Sequence, residues 1–365
     1  MSEEIKPKLS VAMIVKDESR CLARCLQSIK GIADEIIIVD TGSTDETVGI
    51  ARDYGAHVVS FEWVDNFAAA RNFALDQSGG DWILALDADE WVSEGLAGEI
   101  PIFLREQMAV GRVKVVSDFR RNHQTFRSQC FLSRLFPRGA HYEGRIHEQL
   151  VSPLPRINLR GELWHDGYLE VLQKTARNMR LLTLELDRDP DNVYYLYQLG
   201  IEHNSIGRPD KAFGCFQDAY LRMKVDDALA PNITVDFIYT ITDVKQFVLG
   251  LEVVARAETY LLDFPDFFLA RGLFFMHLVR SNPAKYVSEL PKIEESFLRC
   301  LKLGEDERRR SVFGSGSYLA SYNLGLYYQL FGNIPCARKY YGLSAAQGYA
   351  PAAALLKKLD VEGRK

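Results

Sequence analysis

Cysteine is sparse and badly spaced for metal or disulfide chemistry. The six cysteines stand at 21, 25, 130, 215, 300 and 336, and no two form a Cys-x-x-Cys pair. This excludes a zinc ribbon and a disulfide-framed scaffold. Cys21 and Cys25 are four apart on an expected helix and read as buried thiols. Long apolar runs are missing too: "FFLARGLFFMHLV" (267–279) is too short for a membrane span and contains Arg271. The start, MSEEIKPKLS, lacks the basic residues and apolar core of a signal peptide. Residues 1–8 therefore read as a flexible leader, and the cytoplasm is the expected compartment. There is no excess of positive charge: the net charge of −5 argues against a general nucleic-acid binder. Finally, "KDESR" follows the first apolar run where a nucleotidyltransferase would carry a glycine-rich phosphate loop.

What is present falls into two halves, and a chain of 365 residues suits two domains. The first half alternates buried strands and helices. "LSVAMIV" (9–15) and "EIIIVD" (35–40) are short apolar runs of the kind found in buried strands, and "HVVSF" (57–61) and "DWILALD" (81–87) read as a third and a fourth strand. Between them, Leu22, Cys25, Leu26 and Ile29 have helical spacing, with Ser19 as the expected cap. "ETVGIARDYG" and "NFAAARNFALDQ" supply two more helices, the last stopped by "GG". This alternation predicts a mostly parallel sheet with helices on both faces, opening onto a cleft beyond the strand ends at Asp40 and Asp87. After Asp118 the pattern loosens into mobile loops or short antiparallel strands.

The second half is helical and repeats itself. "YLYQLGIEHNSIGRPDKAFGCFQDAY" superimposes on "SYNLGLYYQLFGNIPCARKYYGLSAA". Leu199-Gly200 matches Leu324-Gly325, Gly207 matches Gly332, and Ala212 and Phe216 match Ala337 and Tyr341. The pattern resembles the tetratricopeptide repeat, in which small residues let paired helices approach and aromatics fill the space between. Two further degenerate copies are expected, with prolines in "LELDRDPDN" and "TYLLDFPD" at the closing position.

The most chemically loaded stretch is "LALDADEWV" (84–92). Three carboxylates directly after an apolar strand repel one another and resist dehydration, so they either cap the next helix or hold a cation. Capping accounts for Glu90 or Ser93 but not for the whole neighbourhood. Asp40 is also a plausible turn initiator, accepting N–H groups from the turn that follows it. Arg71 sits among small and apolar residues, where a guanidinium needs a partner, either a diphosphate or Asp87. Downstream, "RLFPRGAHYEGRIHEQL" supplies Arg134, Arg138, His141, Glu143, Arg145, His147 and Glu148.

From residue 9 to 92, "LSVAMIVKDESRCLARCLQSIKGIADEIIIVDTGSTDETVGIARDYGA" and then "FAAARNFALDQSGGDWILALDADE" resemble a family 2 glycosyltransferase of the GT-A fold. The resemblance weakens towards residue 168. It implies an α/β GT-A domain, Rossmann-like with a mostly parallel sheet, over 9–168. An all-α TPR-like helical-repeat domain would follow over 169–365. It further implies a nucleotide-sugar donor, a UDP-hexose or UDP-HexNAc, with Mn²⁺ or Mg²⁺ as cofactor. By resemblance, Asp89 ligates the metal and His165, in "LWHDGY", is a candidate further ligand. Asp87 contacts the ribose or a metal-bound water, and Asp40 contacts uracil or ribose. Val15, through its backbone, and Glu18 are weaker candidates at the base, and Arg71 serves the nucleotide side. An inverting transfer needs a base facing the acceptor, and Glu148 is chosen over its rival Glu143. His165 has a purely structural reading as well, hydrogen-bonded beside Trp164, and His57, His123, His203 and His277 are taken as structural or exposed.

The expected function is inverting, metal-dependent transfer of a sugar to an acceptor hydroxyl or thiol. The repeats add the expectation of a peptide acceptor, held by the array, or of a homodimer built through it. One alternative is a transferase for lipopolysaccharide-type or other cell-surface glycans. Another, of a different class, is a TPR scaffold carrying an inactive transferase domain, against which intact Asp40, Arg71, Asp87 and Asp89 argue.

Overall fold

A computed structural model describes residues 6–121, 124–165 and 171–362. The first five residues of the expected leader, His123 and the expected domain boundary at 168/169 lie outside the described residues. The chain divides into two compact units, 1–170 and 171–365.

In the first unit, β1 (Leu9–Val15), β2 (Glu35–Asp40), β3 (His57–Ser60) and β4 (Trp82–Ala85) form the parallel part of a sheet. The apolar sequences of β1 and β4 follow from burial on both faces, whereas β3, at the sheet edge, is at most half-buried. Lys8, just before β1, donates its N–H to Asp81 at 2.9 Å. The remaining strands are β5 (Glu90–Val92), β6 (Val110–Arg121), β7 (Gln124–Pro137), β8 (His141–Glu143), β9 (Gln149–Val151) and β10 (Arg156–His165). The order is β3-β2-β1-β4-β7-β6-β10-β5, with β7 antiparallel to both neighbours and β5 antiparallel to β10. The sheet is thus mixed. The segment after Asp118 opens with the second half of a long hairpin, longer than the loops or short strands expected, because β6 and β7 pair from Gly111↔Leu135 to Arg121↔Gln124; its later part does form short antiparallel strands. A separate small hairpin joins β8 and β9.

The period-two alternation of the strands sorts their side chains onto two faces. Val11, Met13, Leu84, Val113 and Leu135 pack with α1 (Leu22–Ser28), α2 (Thr47–Asp53) and α4 (Glu94–Glu106). Ala12, Ile83, Ala85 and Phe136 pack with α3 (Phe67–Gln77) and with Tyr142 and Leu150 of the small hairpin. Asn66 caps α3 by accepting from Ala69 N–H at 3.0 Å, an Asn cap satisfying a donor the helix leaves open. Ser19 does not cap α1, which begins at Leu22 with Cys21 at the cap position and no side-chain cap; the Ser19 N–H donates to Asp45 at 3.1 Å instead. Both Cys21 and Cys25 are buried.

The second unit is mostly helical. Val193–Ser205 pairs with Pro209–Arg222, and Tyr318–Leu330 with Ile334–Ala345, the two segments whose sequences superimpose. A Cβ on Gly200 would stand 2.5 Å from the Phe216 ring, and one on Gly325 would stand 2.4 Å from that of Tyr341. Glycine is required there because the aromatic occupies the space a side chain would take. The same contact recurs between Gly272 of Pro265–Ser281 and Phe297 of Leu290–Leu303, with a wider sequence separation. Pro265 opens that helix and does not close the preceding one, which ends at Ala257. Arg271, the charge within the apolar 267–279 run, is buried and bonded to Glu258 at 2.6 Å and Ser296 at 2.6 Å. No helix of the described residues is long and apolar enough to cross a membrane.

Candidate active site

The carboxyl ends of the parallel strands converge on a set of acidic and basic side chains. Val15 and Asp40 are register partners on β1 and β2. Asp40 accepts from Gly42 N–H at 3.2 Å and Ser43 N–H at 3.1 Å, the turn-initiating arrangement its sequence suggested. Thr41 donates both its N–H and its hydroxyl to the Val15 carbonyl, each at 3.0 Å. The loop after β1 is laced to the same turn. Asp17, in the left-handed region at φ 55°, accepts from Thr44 N–H at 2.7 Å, and Glu18 N–H donates to Thr47 Oγ1 at 2.7 Å. Asp tolerates that conformation better than most residues. The Glu18 carboxylate lies 3.2 Å from the Cys21 thiol.

Beyond β4 the chain's charges form one network. Arg71 on α3 donates Nη2 to Asp87 at 2.6 Å and Nε to Glu148 at 2.6 Å. Arg134 on β7 donates Nη2 to Asp87 at 2.7 Å and to Glu90 at 2.6 Å. Glu90 in turn accepts from Asp87 N–H at 3.0 Å. Burial would raise the Asp87 carboxyl, but Arg71 and Arg134 outweigh it and hold it well below the usual carboxylate range. Glu90, only 2% exposed, is raised by burial and by the Asp87 charge despite Arg134. Asp87 keeps a side chain 35% exposed, so this carboxylate both anchors two arginines and faces the opening.

Asp89 meets His165, with Oδ2 and Nε2 3.2 Å apart. The pairing of β5 with β10 sets this contact, by placing His165 opposite Glu90. Burial would lower the imidazole's pKa, and its bond to Asp89 reverses that and raises it. The pair offers a carboxylate oxygen and an imidazole nitrogen, a donor set that suits Mn²⁺ and tolerates Mg²⁺. Among the described residues, no three His, Cys, Asp or Glu side chains gather at metal-holding spacing.

The structure therefore brings Arg71, Asp87 and Glu148 together, pairs Asp89 with His165, and sets Val15 beside Asp40. Glu143 stands apart, its side chain 69% exposed and 3.1 Å from His141. Glu90 does not serve the following helix, because its carboxylate is sealed against Arg134. Ser93 caps that helix, accepting from Leu96 N–H at 3.3 Å. Sequence reasoning passed over Arg134 as one of a basic run. A usable signal was present, because Arg134 falls at an inward position beside Phe136 on an alternating strand, where a lone charge demands partners. Tyr142 was missed as well. Its ring lies 5.7 Å from the Arg71 guanidinium, and its backbone is clamped by Asn72, which accepts from its N–H at 2.7 Å and donates to its carbonyl at 2.9 Å.

Residues 10–149 match the model of the family described as glycosyl transferase family 2. A TPR repeat-containing protein of Synechococcus elongatus is 52% identical over 218 residues, covering 53% of this chain and 51% of that protein. The prophage-derived glycosyltransferase SunS of Bacillus subtilis is 29% identical over 220 residues, covering 56% of this chain and 51% of its own length. Among solved structures, glucosyl-3-phosphoglycerate synthase from Mycobacterium tuberculosis, in complex with Mn²⁺, UDP and glucosyl-3-phosphoglycerate, aligns with a TM-score of 0.25. That match is 24% identical and covers 32% of this chain and 45% of the other. The chain spans about half the length, or less, of the curated relatives it matches. A family 2 glycosyltransferase domain, residues 10–149, thus precedes a TPR-like helical region in this chain.

Proposed function

We propose that this protein is an inverting, metal-dependent glycosyltransferase that moves a hexose or N-acetylhexosamine from a UDP-sugar to an acceptor hydroxyl or thiol. The observation that carries the reading is a pair and a triad beyond the end of β4: Asp89 with His165, and Arg71 with Asp87 and Glu148. Asp40 and the Val15 backbone, with Glu18 nearby, line the strand ends where a nucleoside would rest in an α/β sheet. Asp89 and His165 would hold Mn²⁺ or Mg²⁺, which when bound supplies positive charge for a departing diphosphate. Asp87 faces the ribose side while fixing Arg71. Glu148, held by Arg71, takes the acceptor's proton, and exposed Glu143 is the lesser candidate. The helical region is proposed to present a peptide acceptor or to build a homodimer.

The test is a screen of UDP-sugars with Mn²⁺, scored by release of UDP. Release should require the cation and stop in excess EDTA. Asp89→Ala should abolish it while leaving the circular dichroism spectrum unchanged. Undiminished release in EDTA, or from a folded Asp89→Ala protein, would remove the metal assignment.

A further inference from the structure

Beside Glu148 lies a cleft of about 290 Å³ on the α3 face of the sheet, lined by Arg71, Arg112, Arg134, Tyr142, Glu148 and Arg156 among others. Four guanidinium groups line it against one carboxylate, and that carboxylate is already bonded to Arg71. Arg112 and Arg156 are the unbalanced pair. Arg112 is in register with Asn158 on the neighbouring strand, so Arg156, two residues earlier on β10, projects from the same face. Each donates to a backbone carbonyl, Arg112 to Phe131 at 3.1 Å and Arg156 to Leu150 at 3.0 Å. No carboxylate of the described residues comes within the 4.0 Å of an ion pair with either one. Burial and the nearby Arg156 charge both push the Arg112 pKa down, the sign of a cation lacking its counter-ion.

Two buried polar atoms at the cleft are also without hydrogen-bond partners. They are the Tyr142 hydroxyl, on a residue 6% exposed, and Nε of Arg134, on a residue 8% exposed. Buried polar groups are rarely left unbonded, since each has given up its hydrogen bonds to water without replacement. Guanidinium N–H groups only donate, and the Tyr142 hydroxyl, its pKa pushed up to about 12 chiefly by burial, stays protonated as a donor. Such a lining asks for a ligand that accepts several hydrogen bonds and brings negative charge.

We propose that this cleft binds an anionic group, a phosphate or a carboxylate, carried by the acceptor. The assignment to the acceptor rests on the transfer reading, because Glu148, the proposed base, is part of the same lining. The cleft is at the small end of the range for ligand pockets, about 300–1,000 Å³. That suits a charged group with a few attached carbons.

The test titrates inorganic phosphate and, separately, acetate into the full chain and into R112Q, R156Q and Y142F, by calorimetry with saturating UDP and Mn²⁺ present. Wild type should bind one of the anions, and R112Q and R156Q should each weaken that binding about tenfold or more, as expected for lost charge-assisted bonds. Y142F should weaken it less. Binding of phosphate alone assigns a phosphoryl group, and acetate binding with the same dependence assigns a carboxylate. If R112Q fails to fold, R156Q carries the test, since Arg156 is exposed where its strand begins. Absence of binding in the wild type, or equal affinity in wild type and both arginine variants, overturns the site. UDP release by the wild type without added acceptor tests the transfer reading separately. Release without anion binding overturns the cleft assignment alone. Anion binding without release keeps the anion site and overturns its assignment to an acceptor.

Discussion

Glu148 illustrates how a single residue's partners separate two roles. A carboxylate that only anchors Arg71 could be replaced by its amide, because Gln still presents an oxygen to Nε at the same position. A carboxylate that takes a proton from the attacking group could not. Glu148→Gln is therefore expected to lower kcat for UDP release at least about a hundredfold. KM for the UDP-sugar should stay within about threefold of wild type. Unchanged kcat with an intact fold would move the base elsewhere, with Glu143 next. Arg134 raises the converse case. Its removal leaves Glu90 buried at 2% exposure with its cation gone, and breaking a buried pair from one side costs about 3–5 kcal/mol. Arg134→Met should lose stability on that scale in urea denaturation. The double variant Arg134→Met, Glu90→Met should recover much of the loss, because the buried Glu90 carboxylate is then gone as well and Asp87 keeps its bond to Arg71.

At the scale of elements, the helix Pro265–Ser281 contains another buried carboxylate, outside the candidate site. Asp266 is 3% exposed and accepts from Val312 N–H at 2.8 Å and Ser315 Oγ at 2.5 Å. Burial pushes its pKa up to about 7, with Glu305 and Asp236 adding to the rise and the two hydrogen bonds opposing it. In the unfolded chain an Asp titrates near ~3.9. Between those values the folded protein holds a proton that the unfolded chain has released, so stability falls as pH rises. The contribution is fully present below about pH 4 and lost on passing through about pH 7. Asp266→Asn removes the titration while keeping an acceptor for Val312. The difference in melting temperature between Asp266→Asn and wild type should therefore grow in favour of the variant from pH 5 to pH 8, within the window these pKa values set. A difference independent of pH would mean that Asp266 titrates in its ordinary range.

For the molecule as a whole, what was legible in the sequence depended on how far apart the interacting residues lie. Asp40 with its turn, the Asp87–Asp89 run and the Gly200–Phe216 interlock are local, and each pattern declares its own geometry. The Arg71–Glu148 bond spans 77 residues, and that from Arg134 to Asp87 spans 47. The second requires β7 to insert between β4 and β6, and the first requires the small hairpin to pack back on α3; no local periodicity encodes either. The Asp89–His165 contact likewise depends on β5 returning to pair with β10. Family resemblance implied His165 as a candidate ligand beside Asp89, but only the register explains why an imidazole stands beside that carboxylate.

The same division of the chain makes a prediction about where turnover resides. Every residue assigned to the donor, the metal and the base falls between Val15 and His165, inside the first compact unit, and that unit has its own two-faced core. A fragment of residues 1–170 should therefore fold and release UDP from its sugar donor, with Mn²⁺, at a rate of the same order as the full chain. Transfer to an acceptor is a separate quantity, since the repeats are proposed to present it. If they do, the fragment keeps donor hydrolysis and loses transfer. Circular dichroism first establishes that the fragment is folded, and UDP release is then compared with the full chain. A folded fragment that releases no UDP would show that the helical region contributes to donor turnover itself, which nothing in the residue assignments requires.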